Sequence, residues 1–289
     1  MTQNIAFLGL GVMGFPMAWH LVQRGFSVHV YNRTSSKAQQ WVEQYGGIAH
    51  PTPALAAKAA DIVCMCLGND DDVRSVVYGA DGILSGIAKH TLLIDHTTAS
   101  ETLAVELAQA CESHSVAFLD APVSGGQAGA ENGQLTVMCG GDEDAFSQAQ
   151  PVLSAYAKQC QLIGPTGSGQ LAKMMNQICI AGTLQGLAEA LHFGEKAGLD
   201  RSKVIEVISG GAAQSWQMDN RASTMIADEY DFGFAVDWMR KDLDIALRAA
   251  RAKGATLAMT ALVDQFYADV QKLGGGRMDT SSLLKRLNN

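Results

Sequence analysis

Three glycines, Gly9, Gly11 and Gly14, stand between the apolar run Ile5-Ala6-Phe7-Leu8 and a stretch with helical periodicity. A strand, a glycine turn and a helix in that order leave few folds open. Gly9 allows the tight turn, Gly11 lets the backbone approach a pyrophosphate, and Gly14 lets the helix pack close to the strand. The N–H groups of this turn, including those of Leu10, Val12 and Met13, lie at a helix N-terminus, where an anion is stabilised. The spacing predicts a dinucleotide site over 9–14, in preference to a plain loop.

The next strand, Val28-His29-Val30-Tyr31, should end near the adenosine ribose, where an NAD site normally offers a carboxylate to the ribose hydroxyls. Here the residue is Asn32. Arg33, Thr34, Ser35, Ser36 and Lys37 follow, a set of donors and cations suited to a 2′-phosphate. NADPH is therefore expected over NADH. The competing reading is that Arg33 and Lys37 merely solvate the start of the next helix.

The first half alternates strand and helix patterns. Candidate strands are Ile5–Leu8, Val28–Tyr31, Asp61–Leu67, Thr91–Asp95, Ala117–Leu119, Leu135–Cys139 and Gln161–Ile163, which implies a Rossmann-type α/β domain, a doubly wound and mainly parallel sheet covered on both faces. Ligands on such sheets bind beyond the carboxyl ends of the strands. The unusual segments fall there: Leu67-Gly68-Asn69-Asp70, Asp95-His96-Thr97-Thr98-Ala99-Ser100 and Asp120-Ala121-Pro122-Val123-Ser124-Gly125-Gly126. After a glycine-rich turn at 164–169 the pattern becomes helical, and a long interdomain helix is expected over about 169–197. The expected division is a nucleotide domain, 1–164, and an all-α domain, 165–289. Further helices are expected over Ser202–Ile208, Asp237–Ala252 and Thr256–Leu273, with a polar and aromatic stretch at Ser215-Trp216-Gln217-Met218.

With 289 residues, 47% of them hydrophobic, the chain can bury a large core. A net charge of −8 and the lack of a basic block argue against a nucleic-acid partner. No charged leader precedes the first strand and no apolar run has membrane-spanning length, so the expectation is a cytoplasmic protein with no membrane partner. Six cysteines occur without a C-x-x-C pair, and no His-x-His or His-Glu-x-x-His pattern suggests a metal site. Cys64 and Cys66 alternate on a candidate strand and are expected to pack, reduced, on one face.

Four blocks together resemble the β-hydroxyacid dehydrogenase family, whose best-known branch is 3-hydroxyisobutyrate dehydrogenase. They are Ile5 through Gly14 with Pro16-Met17-Ala18; Asp120-Ala121-Pro122-Val123-Ser124-Gly125-Gly126 with Ala128-Gly129-Ala130; Gly167-Ser168-Gly169 through Lys173 to Asn176-Gln177; and Lys241-Asp242-Leu243. The resemblance covers the whole length. It implies that Lys173 is the general acid or base at the reacting oxygen, with Asn176 and Gln177 orienting the amine or the substrate; many relatives have asparagine at both positions. It implies that Ser124, Gly125 and Gly126 anchor a substrate carboxylate and that Thr98 lies near nicotinamide and substrate. Lys241 and Asp242 resemble the pair that reaches toward the cofactor, and Leu67 joins the cofactor set. Trp216 and Phe234 are expected to wall the substrate pocket, core aromatics being the other reading.

His96 and Thr97 replace the commoner Met-Ser, which suggests a more polar pocket, and His20 replaces a common asparagine as a packing variation. The expected activity is NADP-dependent interconversion of a small 3-hydroxy acid and its semialdehyde, with NAD-dependent 3-hydroxyisobutyrate oxidation as an alternative. Imine reductases share the architecture but usually lack lysine at the position of Lys173. A noncatalytic NADP-binding sensor or scaffold is the reading from another class. The resemblance further implies a homodimer or homotetramer.

Overall fold

The structure is a computed structural model that describes residues 3–288. The chain divides into two compact units that meet within one long helix, the first running to Lys173 and the second starting at Met174. Each is described by itself.

In the first unit the strands are β1 (Asn4–Leu8), β2 (Ser27–Tyr31), β3 (Ile48–Ala49), β4 (Ile62–Met65), β5 (Leu92–Asp95), β6 (Ala117–Asp120), β7 (Val123–Ser124), β8 (Leu135–Gly141) and β9 (Ala157–Gly164). Helices α1 (Gly14–Gln23), α2 (Ser35–Tyr45), α3 (Pro53–Lys58), α4 (Asp70–Val77), α5 (Ile83–Gly86), α6 (Glu101–Ser113), α7 (Gly126–Glu131) and α8 (Glu143–Leu153) connect them. The sheet order is β3-β2-β1-β4-β5-β6-β8-β7, with β9 on β8. Strands β1 to β6 are parallel, whereas β8 runs antiparallel to β6 and β7. The crossover from β3 back past β1 to β4 makes the topological switch point at the carboxyl ends of β1 and β4.

The central strands read as unbroken apolar runs because both faces are covered. Ile5 and Phe7 join Val28, Val30, Trp41, Ile62, Cys64 and Tyr156 on one face; Ala6 and Leu8 join Val63, Met65, Leu93 and Leu103 on the other. Strands β3 and β7 escape the sequence reading because two residues cannot show a period of two. The segment expected over Asp61–Leu67 is shorter in the structure: Cys66 and Leu67 leave the sheet to start the β4–α4 turn. All six cysteines are free, and burial pushes the Cys64 thiol up to about 12.

The interdomain helix α9 (Ser168–Lys196) links the units. The second unit continues with α10 (Arg201–Ile208), α11 (Trp216–Ile226), α12 (Val236–Lys253), α13 (Ala258–Lys272) and α14 (Leu283–Leu287). Ser215 caps α11 by accepting from Met218 N–H, and α12 stops at Gly254 with φ +72°. The core here is built from Leu184, Ala188, Leu191, Met218, Met225, Met239, Leu243, Val263 and Tyr267. Among the described residues no helix is long and apolar enough to cross a membrane.

Candidate active site

The glycine turn joins β1 to α1, and Gly9 N–H donates to the Tyr31 carbonyl on β2, 2.9 Å away. A Cβ on Gly14 would collide with the Gly9 carbonyl oxygen, so the start of α1 lies directly against the turn. Gly11 faces open space within 4 Å of its Cβ position, and Val12 beside it is exposed. That is the cradle a pyrophosphate requires: backbone on one side, room on the other, and a helix start with no side-chain cap on its N–H groups. The residues present fit a dinucleotide.

Asn32 serves the cradle in another way from the one expected. Its Oδ1 accepts from Leu10 N–H at 2.9 Å and its Nδ2 donates to the Thr34 carbonyl at 3.0 Å, so the amide braces the glycine turn against the end of β2. Thr34 occupies the N-cap position of α2 without a side-chain cap bond. Arg33 is exposed, and its Nη1 lies 2.9 Å from Asp72 Oδ1 on α4.

Beyond β4 and β5 the turns are pinned together. Leu67 N–H donates to Thr97 Oγ1 at 2.9 Å, and Thr97 N–H donates to Asp95 Oδ1 at 2.9 Å. Strand β5 ends at Asp95, and Thr98 follows it on the turn, half-buried. The expected polar pocket at His96 and Thr97 is not what the structure shows: both are 1% exposed. The His96 ring turns inward, with Nδ1 2.7 Å from the Ala121 carbonyl and Nε2 2.8 Å from the Tyr156 hydroxyl. Burial pushes its pKa down to about 4, which leaves it a neutral core imidazole at working pH.

Asp120 has a structural part that its place in a strand-end segment of the sequence does not reveal. It ends β6, is fully buried, and accepts from Gly167 N–H through Oδ1 at 2.7 Å and from Gln170 N–H through Oδ2 at 2.9 Å. A side chain nearly fifty residues upstream thus does for α9 what an N-cap normally does. Gly169 permits the approach, since a Cβ there would strike the Met138 carbonyl and lie 2.7 Å from the Asp120 carbonyl oxygen. Burial pushes the Asp120 carboxyl up to about 6 despite those donors. One turn into the helix, Lys173 is buried at 7% exposure.

Ser124 ends β7 in antiparallel register with Thr136 on β8. Gly125 and Gly126 turn the chain with φ of +131° and +61°, a region open to glycine and strained for other residues. Helix α7 then packs on α1 through His20, which is no mere packing variation: its Nε2 lies 3.0 Å from the Ala130 carbonyl and 3.1 Å from the Glu131 carbonyl. A signal was present in the sequence, because a histidine on an otherwise apolar helix face needs a polar partner.

In the second unit, Asn176 Nδ2 donates to Gln177 Oε1 at 2.8 Å and Gln177 Nε2 donates to Asp242 Oδ2 at 2.6 Å. Lys241 Nζ lies 3.2 Å from Asp242 Oδ1, so four of the expected site residues form one connected strip on α9 and α12. Trp216 is exposed at the start of α11, with the Arg221 guanidinium 4.9 Å from its ring centre. Phe234 is half-buried and leans on the helical core, the other reading weighed for it. The two aromatics are nevertheless tied together, because Arg221 pairs with Asp279 at 3.1 Å and Asp279 Oδ2 accepts from Phe234 N–H at 3.0 Å.

Comparison with known proteins agrees with this architecture. Residues 4–164 match the model of the NAD binding domain of 6-phosphogluconate dehydrogenase, and residues 167–287 match the NAD-binding domain of NADP-dependent 3-hydroxyisobutyrate dehydrogenase. An uncharacterised oxidoreductase of Shewanella frigidimarina is 63% identical, with 98% of each chain covered. The 2-hydroxy-3-oxopropionate reductase of Escherichia coli is 32% identical over 98% of this chain and 97% of its own. The solved 3-hydroxyisobutyrate dehydrogenase of Mycobacterium tuberculosis superimposes with a TM-score of 0.90 at 32% identity, covering both chains completely. With a parallel sheet that ends in a nucleotide cradle and a helical second unit, this chain belongs to the β-hydroxyacid dehydrogenase family of NAD(P)-dependent oxidoreductases.

Proposed function

We propose that the protein reduces a small semialdehyde that bears a carboxylate to the corresponding hydroxy acid with NADPH, and that Lys173 is the proton donor. The observation that carries this reading is the buried Lys173 on a helix whose first turn Asp120 holds against the nucleotide domain. When bound, NADPH supplies the hydride. The carbonyl oxygen that receives charge needs a proton as it forms, because a free alkoxide is far too basic for neutral water. Lys173 gives that proton from Nζ; in the reverse direction its neutral amine accepts the hydroxyl proton. Asn176 and Gln177 follow on the same helix and carry amides already oriented by Asp242. Ser124 and the N–H groups of Gly125 and Gly126 receive the substrate carboxylate without bringing a compensating cation. The name and whole-length similarity of the Escherichia coli 2-hydroxy-3-oxopropionate reductase support a three-carbon semialdehyde among the substrates.

One observation favours a second reading, NAD-dependent oxidation of 3-hydroxyisobutyrate: Arg33 is already paired with Asp72. An exposed ion pair of this kind is worth at most about 1 kcal/mol, less than a doubly charged phosphate gains from a guanidinium, so NADPH stays the preferred coenzyme. The test is an NADPH oxidation assay over a panel of semialdehydes with Lys173→Ala alongside. The variant should keep coenzyme affinity and lose more than about a hundredfold in turnover, the scale of a lost general acid. Undiminished turnover would refute the assignment.

A further inference from the structure

We propose that Gln170 is a positioning residue for the reaction: the two ends of its side-chain amide lock the turn that bears Thr98 to the first turn of the helix that bears Lys173. The proposal rests on the function proposed above, in which Thr98 and Lys173 stand at the reacting centre. Gln170 is fully buried. Its Oε1 accepts from Ala99 N–H at 3.0 Å and its Nε2 donates to the Thr97 carbonyl at 2.8 Å, so one side chain holds the backbone on both sides of Thr98. The same residue is fixed from behind, where its own N–H donates to Asp120 Oδ2 at 2.9 Å. Thr97 is anchored in turn by Asp95 and by Leu67 N–H.

The chemistry of the position is specific. Thr97 offers an acceptor and Ala99 a donor, and both residues are 1% exposed, so water is not at hand to satisfy either. Glutamine presents a donor and an acceptor in one plane at the right reach. Asparagine is a methylene too short, glutamate lacks the donor, and an apolar side chain leaves both backbone groups unmet. If the pairing served stability alone, a turn with its own internal bonds would serve as well without ordering a long side chain. What the amide adds is a fixed distance between Thr98 and the helix turn that leads to Lys173. A shift of one ångström in such a distance costs on the order of a hundredfold in rate.

The test uses the full-length enzyme with NADPH and its best semialdehyde, and compares Gln170→Met with wild type. Gln170→Met should keep NADPH Kd within about threefold and lower kcat by at least about tenfold, with KM less affected, as misplaced reacting groups require. Hydrogen exchange of the 97–103 segment should accelerate, since Ala99 N–H loses its acceptor. Val152→Ala, which opens a cavity under α8 in the same unit without removing a hydrogen bond of the clamp, is the control and should keep kcat at a comparable loss of Tm. Wild-type kcat in Gln170→Met, unchanged exchange over 97–103, or an equal loss of kcat in Val152→Ala would each overturn the proposal. Should Gln170→Met fail to fold, Gln170→Glu keeps the shape and the Ala99 acceptor; it should lose at least about threefold in kcat, and wild-type kcat there overturns the proposal too. Failure of the underlying reading is separate: it shows as undiminished turnover in Lys173→Ala, whatever the exchange of the 97–103 segment does.

Discussion

Replacing Asp95 by asparagine should stabilise the protein at pH 8 and progressively less so as the pH falls. Asp95 is 2% exposed at the end of β5, directly across from Asp120 on β6. Burial pushes its carboxyl from 3.8 up to about 7, with Asp120 and Asp70 adding repulsion and the hydroxyl and N–H of Thr97 pulling the other way. A carboxyl whose pKa is raised by folding binds protons more tightly in the native state, so the stability it contributes is present at low pH and lost as pH climbs from about 4 to about 7. The full rise corresponds to about 4 kcal/mol, of which roughly 2 to 3 kcal/mol is lost between pH 5 and pH 8. Asparagine has the same shape and keeps an oxygen for Thr97 N–H, but gives up one acceptor for the Thr97 hydroxyl at a cost of about 1 kcal/mol. The net expectation at pH 8 is a gain of about 1 to 3 kcal/mol, or roughly 2 to 10 °C in Tm for a unit of this size. Calorimetric melts of both proteins at pH 8 and pH 5 decide it. A variant less stable than wild type at pH 8, or a difference that does not shrink at pH 5, would refute the reasoning.

Two further outcomes follow from pairings in the nucleotide unit. Asp72→Ala releases Arg33 and removes a carboxylate from beside the expected 2′-phosphate, so NADPH should bind about three- to tenfold more tightly with NADH unchanged, and Arg33→Ala should erase the preference; an unaltered NADPH to NADH ratio in titrations of both variants removes Arg33 from that role. His20→Leu leaves the carbonyls of Ala130 and Glu131 without their donor and should cost about 1 to 3 kcal/mol, with faster hydrogen exchange in α7, whereas a melt identical to wild type would show that these carbonyls find other partners.

Much of this was legible in the order of residue types. A four-residue apolar run followed by spaced glycines can hardly be anything but strand, turn and helix, and the unbroken helical period after Gly169 located α9 to within a residue at each end. What could not be read were the long-range partners. Asp120 looks like a strand-end carboxylate in the sequence; that it caps a helix depends on β6 ending beside the turn at Gly167. His96 departs from its expected place in a pocket for the same reason. A polar residue after a strand suggests a pocket, but its direction depends on Tyr156 and Ala121, which only the folded sheet brings near. Gln177 and Asp242 were each singled out, yet their bond joins positions on two helices that periodicity treats separately.

The way the helices of the first unit begin bears on which of its polar groups face a ligand. Where β3, β4 and β5 lead into helices, Thr52, Asn69 and Ser100 cap the starts of α3, α4 and α6 with their own side chains. The helices after β1 and β2 lack such caps: α1 opens on Met13 and α2 on Thr34, a residue able to cap that makes no such bond. Helix N–H groups without an internal acceptor are a cost in an empty chain and an asset to a bound anion. Helices α5, α7 and α8 also start without a side-chain cap, so what fits the starts of α1 and α2 to a dinucleotide is their place after β1 and β2. The polar side chains deeper in the sheet, Asp95, Asp120, His96, Thr97 and Gln170, are taken up by backbone and by one another. On the proposed reading, selectivity for the coenzyme would rest with the exposed residues 33–37 and the start of α2, while the buried network holds the turns after β4, β5 and β6 together.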